Sequence, residues 1–222
     1  MFFERRCFCV LCGKYKSTEK LQLSHKGIAV CKSCYDNIGT TKDKSFDGKG
    51  NIKIVLSPYV YGGAIREAVK VYKFSGQWLY GELFGRMICD ELKEHTWLLE
   101  YDCIIPVPLH ESRFKERGYN QSEILARVMS EHTGIPMLSD VLFRIRETKR
   151  QSTLKGLERI ENVRNAFWAH PEAVRNKRII LVDDIYTMGE TAGSCAQALK
   201  AAGAADIAVI TLCITVDNKY YK

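Results

Sequence analysis

Residues 178–191 read Arg-Ile-Ile-Leu-Val-Asp-Asp-Ile-Tyr-Thr-Met-Gly-Glu-Thr, and this stretch decides the fold class. Its first part, Arg178 to Val182, is a short apolar run, which is typical of a strand that is buried on both faces. Apolar residues at helical spacing follow from Ala192 to Ala202, and Gly203 is expected to end that helix. The stretch therefore predicts a strand, a tight turn and a helix.

The same alternation surrounds this stretch. Residues 102–106 and 207–214 form two further apolar runs, and three patterns of helical spacing lie between residues 64 and 129. Continuous apolar strands that alternate with helices are typical of a parallel sheet with both faces covered. We therefore predict an α/β domain over residues 58–222.

The end of the 178–182 strand is a candidate ligand site, because parallel sheets bind ligands beyond the carboxyl ends of their strands. Backbone N–H groups before a helix bind anions; Thr187 and Thr191 add hydroxyl groups, and Gly189 permits close approach. Asp183 and Asp184 beside this turn suit a ligand with free hydroxyl groups, or they help to hold Mg²⁺. A phosphorylated sugar meets these requirements. The alternative is an acidic strand end before a threonine-capped helix.

The cysteines predict a metal site near the N-terminus. Five of the nine lie in the first 34 residues, and four of these follow the pattern C-x2-C-x18-C-x2-C. They are Cys9, Cys12, Cys31 and Cys34. Four thiolates suit tetrahedral Zn²⁺ in a closed, structural site. A redox-active pair is the alternative, and Cys7 or His25 would be substitute ligands. We predict a module like a zinc ribbon over residues 1–38.

The charge of the chain is concentrated in the same region. The 222 residues have a net charge of +7, and residues 1–57 contain 11 Lys and Arg against 5 Asp and Glu. A basic module of this kind predicts contact with a polyanion such as single-stranded DNA. The alternative is a solvated, lysine-rich surface. Residues 39–53 are polar and rich in glycine, and we predict a linker over residues 39–57.

Several classes of protein are disfavoured. No apolar run is long enough for a transmembrane helix, and the first residues do not resemble a signal peptide, so we expect a cytoplasmic protein without membrane insertion. Neither G-x-G-x-x-G nor G-x-x-x-x-G-K-[ST] occurs, which counts against dinucleotide and P-loop nucleotide binding.

Two basic segments are candidates for contact with an anionic ligand. Arg113, Lys115 and Arg117 follow a buried strand and form either an anion clamp or a solvated turn. Residues 146–156, which include Lys149, read either as a mobile lid or as a surface loop.

Four aromatic residues surround Lys73 and have two interpretations. They are Tyr72, Phe74, Trp78 and Tyr80. Aromatic rings beside a basic residue can stack on nucleic-acid bases. At helical spacing, however, such residues more often belong to the core.

Residues 182–191 resemble the phosphoribosyl pyrophosphate signature of type I phosphoribosyltransferases. The whole chain more specifically resembles the ComF family of bacterial competence and DNA-uptake proteins. Besides the cysteines, the resemblance rests on Tyr-Lys-Phe-Ser-Gly at 72–76, Pro-Val-Pro-Leu-His at 106–110 with Arg113, Arg-Gly-Tyr-Asn-Gln at 117–121, and Arg146, Thr148 and Gln151 leading to Arg159, Asn162 and Phe167.

The resemblance implies a type I phosphoribosyltransferase-like domain and assigns roles to residues. Asp183 and Asp184 would bind the ribose hydroxyl groups. The 5′-phosphate would lie in the turn formed by Thr187, Met188, Gly189, Glu190 and Thr191. Pyrophosphate would contact Pro108, Leu109 and His110, with Arg113, Arg117 and Lys149 nearby. Met188 and Glu190 depart from the small residues that are usual in such turns, and the Glu190 carboxylate must point away from the phosphate.

The resemblance leaves two functions open. In the first, the protein binds phosphoribosyl pyrophosphate with Mg²⁺, and single-stranded DNA and other DNA-uptake proteins are candidate partners. In the second, it is an active phosphoribosyltransferase with a nucleobase or amine acceptor. Asp183, Asp184, Arg113 and Arg117 are then the candidate catalytic residues. Zn²⁺ would be structural in both.

Overall fold

The computed structural model describes residues 6–41, 44–146 and 166–215. Its strands are β1 (Arg6–Cys9), β2 (Tyr15–Ser17), β3 (Leu21–His25), β4 (Ile28–Cys31), β5 (Ser45–Asp47), β6 (Ile54–Leu56), β7 (Tyr59–Val60), β8 (Cys103–Pro106), β9 (Leu142–Arg144), β10 (Phe167–Ala169), β11 (Arg178–Tyr186) and β12 (Asp206–Ile214). Its α-helices are α1 (Lys32–Asp36), α2 (Gly63–Phe74), α3 (Tyr80–Leu92), α4 (Glu111–Arg117), α5 (Gln121–Thr133), α6 (Pro171–Val174) and α7 (Glu190–Ala201). No helix in this described part is long and apolar enough to cross a membrane.

The predicted α/β fold with a parallel sheet is confirmed. The main sheet has the order β5-β6-β12-β11-β8, and β7 also pairs with β12. Strands β6, β7 and β11 pair with β12 in parallel, and β8 pairs with β11 in parallel, whereas β5 is antiparallel to β6. The predicted strand–turn–helix unit is present as β11 and α7, and Gly203 follows the helix with a φ of 96°.

Both faces of the main sheet are covered. Alternate residues of β11 enter different apolar clusters: Ile180 and Val182 pack with α2, α3 and α5, whereas Ile179 and Leu181 pack with α7 and β10. This division follows from the alternation of side chains along a strand. The continuous apolar run in the sequence is therefore explained by burial on two sides.

The N-terminal residues form a second, smaller sheet of order β2-β1-β4-β3, with α1 after it. This sheet packs against α3 through β3 and β4. Its residues Cys9, Val10, Leu11, Val30 and Cys31 belong to the same apolar cluster that covers the main sheet. The module therefore shares its core with the larger domain.

Polar contacts also join the two sheets. Tyr35 of α1 and Tyr59 of β7 have their hydroxyl oxygens 3.3 Å apart, and Tyr59 also reaches Glu91 of α3 at 3.3 Å. His25 lies 3.3 Å from Arg86 of α3. Tyr59 is 1% exposed, so these bonds satisfy a buried hydroxyl at the junction.

The segment 39–57, predicted as a linker, differs from that prediction because it contains β5 and β6. Strand β6 pairs with β12 in parallel, and Ile52, Val55 and Leu56 are buried. The few apolar residues in this polar stretch gave a weak sequence signal, and pairing with a distant strand decides their structure. The segment thus adds strands to the main sheet. The boundaries of the domains, 1–38 and 58–222, stay a prediction.

Candidate functional site

A pocket of about 650 Å³ opens where β8, β11 and β12 end. These ends lie together because the three strands are parallel neighbours. Its walls come from α2, from the loop after β8 with α4, from β9, and from the turn between β11 and α7. The predicted location beyond the carboxyl ends of the parallel strands therefore coincides with a pocket.

The two aspartates lie on a part of β11 that β8 does not cover. Strand β8 ends at Pro106, which pairs with Val182, whereas β11 continues to Tyr186. Asp183 and Asp184 are thus strand residues, although the sequence places them after the strand. The Ser122 hydroxyl donates to Asp183 Oδ1 at 2.9 Å, and the Asp184 N–H donates to the same oxygen at 2.9 Å. Both aspartates line the pocket.

The two carboxyl groups have different electrostatic surroundings. Burial, reinforced by the charge of Asp184, raises the pKa of Asp183 to about 7. Asp184 Oδ2 lies 2.8 Å from the ammonium nitrogen of Lys73. Burial alone would lower the pKa of Lys73, but the charges of Asp184 and Asp183 outweigh burial and raise it. One carboxyl group is therefore ion-paired, and the other titrates near neutrality.

The turn after β11 is built around Gly189, whose φ is 84°. Thr187, Gly189 and Thr191 line the pocket. Met188 is 63% exposed, and neither Met188 nor Glu190 lines the pocket. The Glu190 carboxylate thus lies off the pocket wall, as a phosphate site in this turn requires. Helix α7 begins at this residue, so its first N–H groups are close to the turn.

The loop after β8 and helix α4 form the opposite wall. Pro108, Leu109, Arg113 and Arg117 line the pocket, but His110 does not. His110 instead caps α4, and its Nδ1 accepts a hydrogen bond from the Ser112 N–H at 3.3 Å.

Side chains of α4 divide between the pocket and solvent. Arg117 donates to the side-chain oxygen of Gln121, and its guanidinium lies 5.5 Å from the Phe74 ring centre. Lys115 pairs with Glu111 at 2.6 Å and both are exposed, so Lys115 belongs to the helix surface. Arg113 and Arg117 are therefore the cations that this helix brings to the pocket.

Lys149 and most of the predicted lid at 146–156 lie outside the described residues, as do Thr148, Gln151, Arg159 and Asn162. The roles predicted for them stay predictions.

Several residues around the site were not predicted from sequence. Arg66, Lys70 and Lys73 of α2 and Arg144 of β9 line the pocket, and Ser122 of α5 binds Asp183. Lys73 could have been identified from the sequence, because it lies within the Tyr-Lys-Phe motif that carries the family resemblance. Tertiary packing alone brings Arg66, Lys70 and Arg144 to the pocket and Ser122 to Asp183.

The four cysteines of the predicted metal site come together. The sulfur atoms of Cys9, Cys12, Cys31 and Cys34 all lie within 4.8 Å of one another. Four thiolates about 2.3 Å from a zinc ion at the corners of a tetrahedron would be about 3.8 Å apart, so the cluster is compatible with zinc. Cys7 and His25 are not part of this cluster. Among the described residues, this is the one group of three or more His, Cys, Asp or Glu side chains close enough to share a metal ion.

The aromatic residues near Lys73 divide into two kinds. Tyr72 and Tyr80 are buried in the core. Phe74 is 63% exposed and Trp78 is 44% exposed. Each exposed ring lies beside a cation: Phe74 beside Arg117, as described, and Trp78 5.9 Å from the ammonium of Lys26. The core interpretation therefore holds for two of the four.

The chain has relatives among characterised bacterial proteins. It is 31% identical over 147 residues to competence protein F of Haemophilus influenzae, and the match covers 64% of each chain. It is 31% identical over 154 residues to competence protein ComFC of Streptococcus pneumoniae, covering 69% of this chain and 65% of the other. It is 31% identical over 159 residues to DNA utilization protein YhgH of Shigella flexneri, covering 70% of each. The chain thus spans slightly less than two thirds of the first two relatives. No family model matches it.

Solved structures similar to this chain include two phosphoribosyl enzymes. One is glutamine phosphoribosylpyrophosphate amidotransferase from B. subtilis, with 26% identity, a TM-score of 0.41, and coverage of 59% of this chain and 25% of the other. Another is adenine phosphoribosyltransferase from Leishmania tarentolae, with 13% identity, a TM-score of 0.40, and coverage of 68% and 77%.

Proposed function

Because the chain belongs to the ComF family of competence and DNA utilization proteins, which includes ComFC and YhgH, we propose that its pocket binds phosphoribosyl pyrophosphate or a related phosphoribosyl ligand. One observation carries this proposal. The acidic pair Asp183–Asp184 and the turn at Thr187, Gly189 and Thr191 line a single pocket. Acceptors for sugar hydroxyl groups and donors for a phosphate are thus available to one small molecule.

Different residues of the pocket bind different groups of the ligand. The N–H groups of the turn and the start of α7 bind the 5′-phosphate, with the hydroxyl groups of Thr187 and Thr191. Asp183 accepts hydrogen bonds from ribose hydroxyl groups. Arg113 and Arg117 neutralise the diphosphate from the opposite wall. Magnesium, when it accompanies the diphosphate, supplies further charge neutralisation.

The N-terminal cysteines hold a structural zinc ion in this proposal. All four ligand positions are filled by thiolates, so no position is left for substrate. Zinc stabilises the small sheet, and the small sheet covers part of the core beside α3.

The ligand is tested by calorimetric titration of the full chain with phosphoribosyl pyrophosphate and Mg²⁺. Asp183→Asn is expected to weaken binding at least about tenfold, because hydrogen bonds to a charged acceptor contribute about 1.5–3 kcal/mol each. Asp140→Asn is the matched control, since Asp140 is an exposed carboxylate that does not line the pocket. Equal affinity of wild type and Asp183→Asn would contradict the assignment.

Binding is also expected to depend on pH. The pKa of Asp183 is raised to about 7, so the carboxyl group is protonated below that pH and accepts hydrogen bonds less well. Affinity for ribose 5-phosphate should therefore rise up to about tenfold between pH 6 and pH 8, as the ionised fraction rises. The phosphate of the ligand titrates near pH 6, so Asp183→Asn serves as the reference. A pH profile that is the same in both proteins would count against ionisation of Asp183.

Binding and turnover are separate questions for this pocket. A phosphoribosyl transfer releases pyrophosphate while an acceptor attacks the sugar, and positioning and electrostatics supply most of such catalysis. Release of pyrophosphate, measured across nucleobases and amines, distinguishes an active transferase from a binding protein.

A second candidate function, binding of single-stranded DNA, is favoured by the two exposed aromatic–cation pairs. Trp78 lies beside Lys26 of the small sheet, and Phe74 lies beside Arg117 at the pocket. Exposed rings stack on bases without sequence preference, and neighbouring cations contact the phosphates. Residues 6–38 contain five Lys or Arg residues besides Lys26, which is consistent with a polyanionic partner.

The DNA candidate is tested by the salt dependence of binding to a labelled single strand. Trp78→Ala is expected to weaken binding by about 1–3 kcal/mol, and Lys26→Met is expected to reduce the salt slope by about 0.7. Trp168→Ala is the matched control, because Trp168 is 43% exposed and lies on β10. Equal losses from both tryptophans would contradict a specific stacking site.

A further inference from the structure

One ion pair in the pocket takes no part in the ligand contacts proposed above. Lys73 Nζ lies 2.8 Å from Asp184 Oδ2, and both residues line the pocket. The Asp184 side chain is 4% exposed and that of Lys73 is 19% exposed. A carboxylate this deeply buried needs a compensating cation, and Lys73 supplies it within the chain.

Two tyrosine hydrogen bonds connect the end of α2, which carries Lys73, to the start of α5 and to the loop before α5. The Tyr72 hydroxyl donates to the Gln121 carbonyl oxygen at 2.7 Å. The Tyr119 hydroxyl donates to the Tyr72 carbonyl oxygen. The end of α2 is therefore tied to the start of α5, from which Ser122 reaches Asp183. Lys73, Asp183 and Asp184 are therefore connected by one network of hydrogen bonds and an ion pair.

This arrangement does not suit a magnesium ion held directly by the aspartates. Mg²⁺ requires oxygen ligands at about 2.0–2.1 Å in an octahedron, and an ammonium group already lies against Asp184. The residues present therefore do not fit a protein-bound Mg²⁺ at this carboxylate pair.

We propose that Lys73 is the built-in counter-ion of Asp184, a positioning residue that neutralises this carboxylate where a divalent metal would otherwise be needed. This inference rests on the proposed function, because it concerns the same phosphoribosyl site. It follows that ligands of this pocket differ in whether they need Mg²⁺ to bind. A ribose 5-phosphate binds without Mg²⁺, whereas a ligand with a diphosphate needs Mg²⁺ for the diphosphate alone.

The test is calorimetric titration of the full chain with ribose 5-phosphate, with and without added Mg²⁺. The buffer is treated with a chelating resin and contains no free chelator, which would attack the cysteine site. The wild-type Kd is expected to change less than twofold with Mg²⁺. Lys73→Met is expected to lose at least about tenfold in affinity without Mg²⁺ and to regain part of it with Mg²⁺. Lys73→Arg should retain binding without metal.

Two further variants complete the design. Lys93→Met is the matched control, because Lys93 follows α3 directly, pairs with Asp90 at 2.8 Å and lies outside the pocket. The double variant of Lys73→Met with Asp184→Asn removes both members of the ion pair and so leaves no unpaired charge at Asp184, and it is expected to fold even where the single variant does not. It is expected to bind weakly and to gain less than twofold from Mg²⁺.

Three results would overturn the inference. One is wild-type affinity for ribose 5-phosphate that rises more than fivefold with Mg²⁺. Another is a Lys73→Met protein that binds as the wild type does in both buffers. The third is a double variant that Mg²⁺ restores. Wild-type protein that binds neither ribose 5-phosphate nor phosphoribosyl pyrophosphate in either buffer would contradict the proposed function itself, and the inference with it.

Discussion

Replacing Cys31 with serine is expected to remove zinc and to destabilise the whole protein, the main sheet included. Cys31 is 2% exposed and belongs to the apolar cluster that also contains residues of α2, α3 and β11. A serine hydroxyl is a poor zinc ligand, and zinc binding contributes directly to the stability of small metal-bound modules. We expect a loss of at least about 3 kcal/mol, which corresponds to a fall in Tm of about 6–12 °C in a chain of this size.

The measurement combines zinc content per chain with calorimetric melting. Cys7→Ser is the matched control, because Cys7 is half-buried, lies on the same strand as Cys9 and is not part of the sulfur cluster. The control should keep one zinc per chain and its Tm. A Cys31→Ser protein that retains zinc and melts within 2 °C of the wild type would show that the assigned ligand set is wrong.

Replacing Gly189 with alanine is expected to abolish most binding of ribose 5-phosphate. Gly189 has a φ of 84°, and an added Cβ would clash with the Tyr186 hydroxyl oxygen. The left-handed conformation alone costs a non-glycine residue about 1–2 kcal/mol, and the contact with Tyr186 forces the turn or the ring to move. Since the turn presents the N–H groups that bind phosphate, we expect at least about a tenfold loss of affinity and a lower Tm.

Gly193→Ala provides the control within the same helix. Gly193 lies inside α7, and an added Cβ there has no neighbour within 4 Å. Alanine favours helix by about 0.5–1 kcal/mol over glycine, so this variant should melt slightly higher and bind as the wild type does. Equal affinity of the Gly189→Ala and Gly193→Ala proteins would mean that the turn does not hold the phosphate.

The sequence was sufficient for those features that depend on local pattern. The buried strands β8, β11 and β12 appear as continuous apolar runs because both of their faces are covered. The four cysteines were identifiable from spacing alone, since each C-x-x-C pair is a local unit. The acidic pair and the turn after it were identifiable because they are consecutive in the chain.

Features that depend on tertiary contact were not predictable. Strand β6 contributes three residues, Ile54 to Leu56, and its place in the sheet depends on β12, more than 150 residues later. Lys73 and Ser122 are distant in sequence from the aspartates they contact. His110 is a different case. It lies on the loop for which the resemblance implies a pyrophosphate contact, and its side chain caps α4. Cap geometry and side-chain direction are consequences of the folded backbone.

The shared core affects the stability of the small sheet while the chain is being synthesised. Cys9 and Cys31 leave the ribosome before α3, which packs over their sheet and begins about fifty residues after Cys31. Until α3 has been synthesised, the apolar side of the small sheet lacks its cover, and the proposed zinc ion would be the principal stabilising partner for the nascent segment. Under this proposal, zinc supply during translation affects the yield of folded protein.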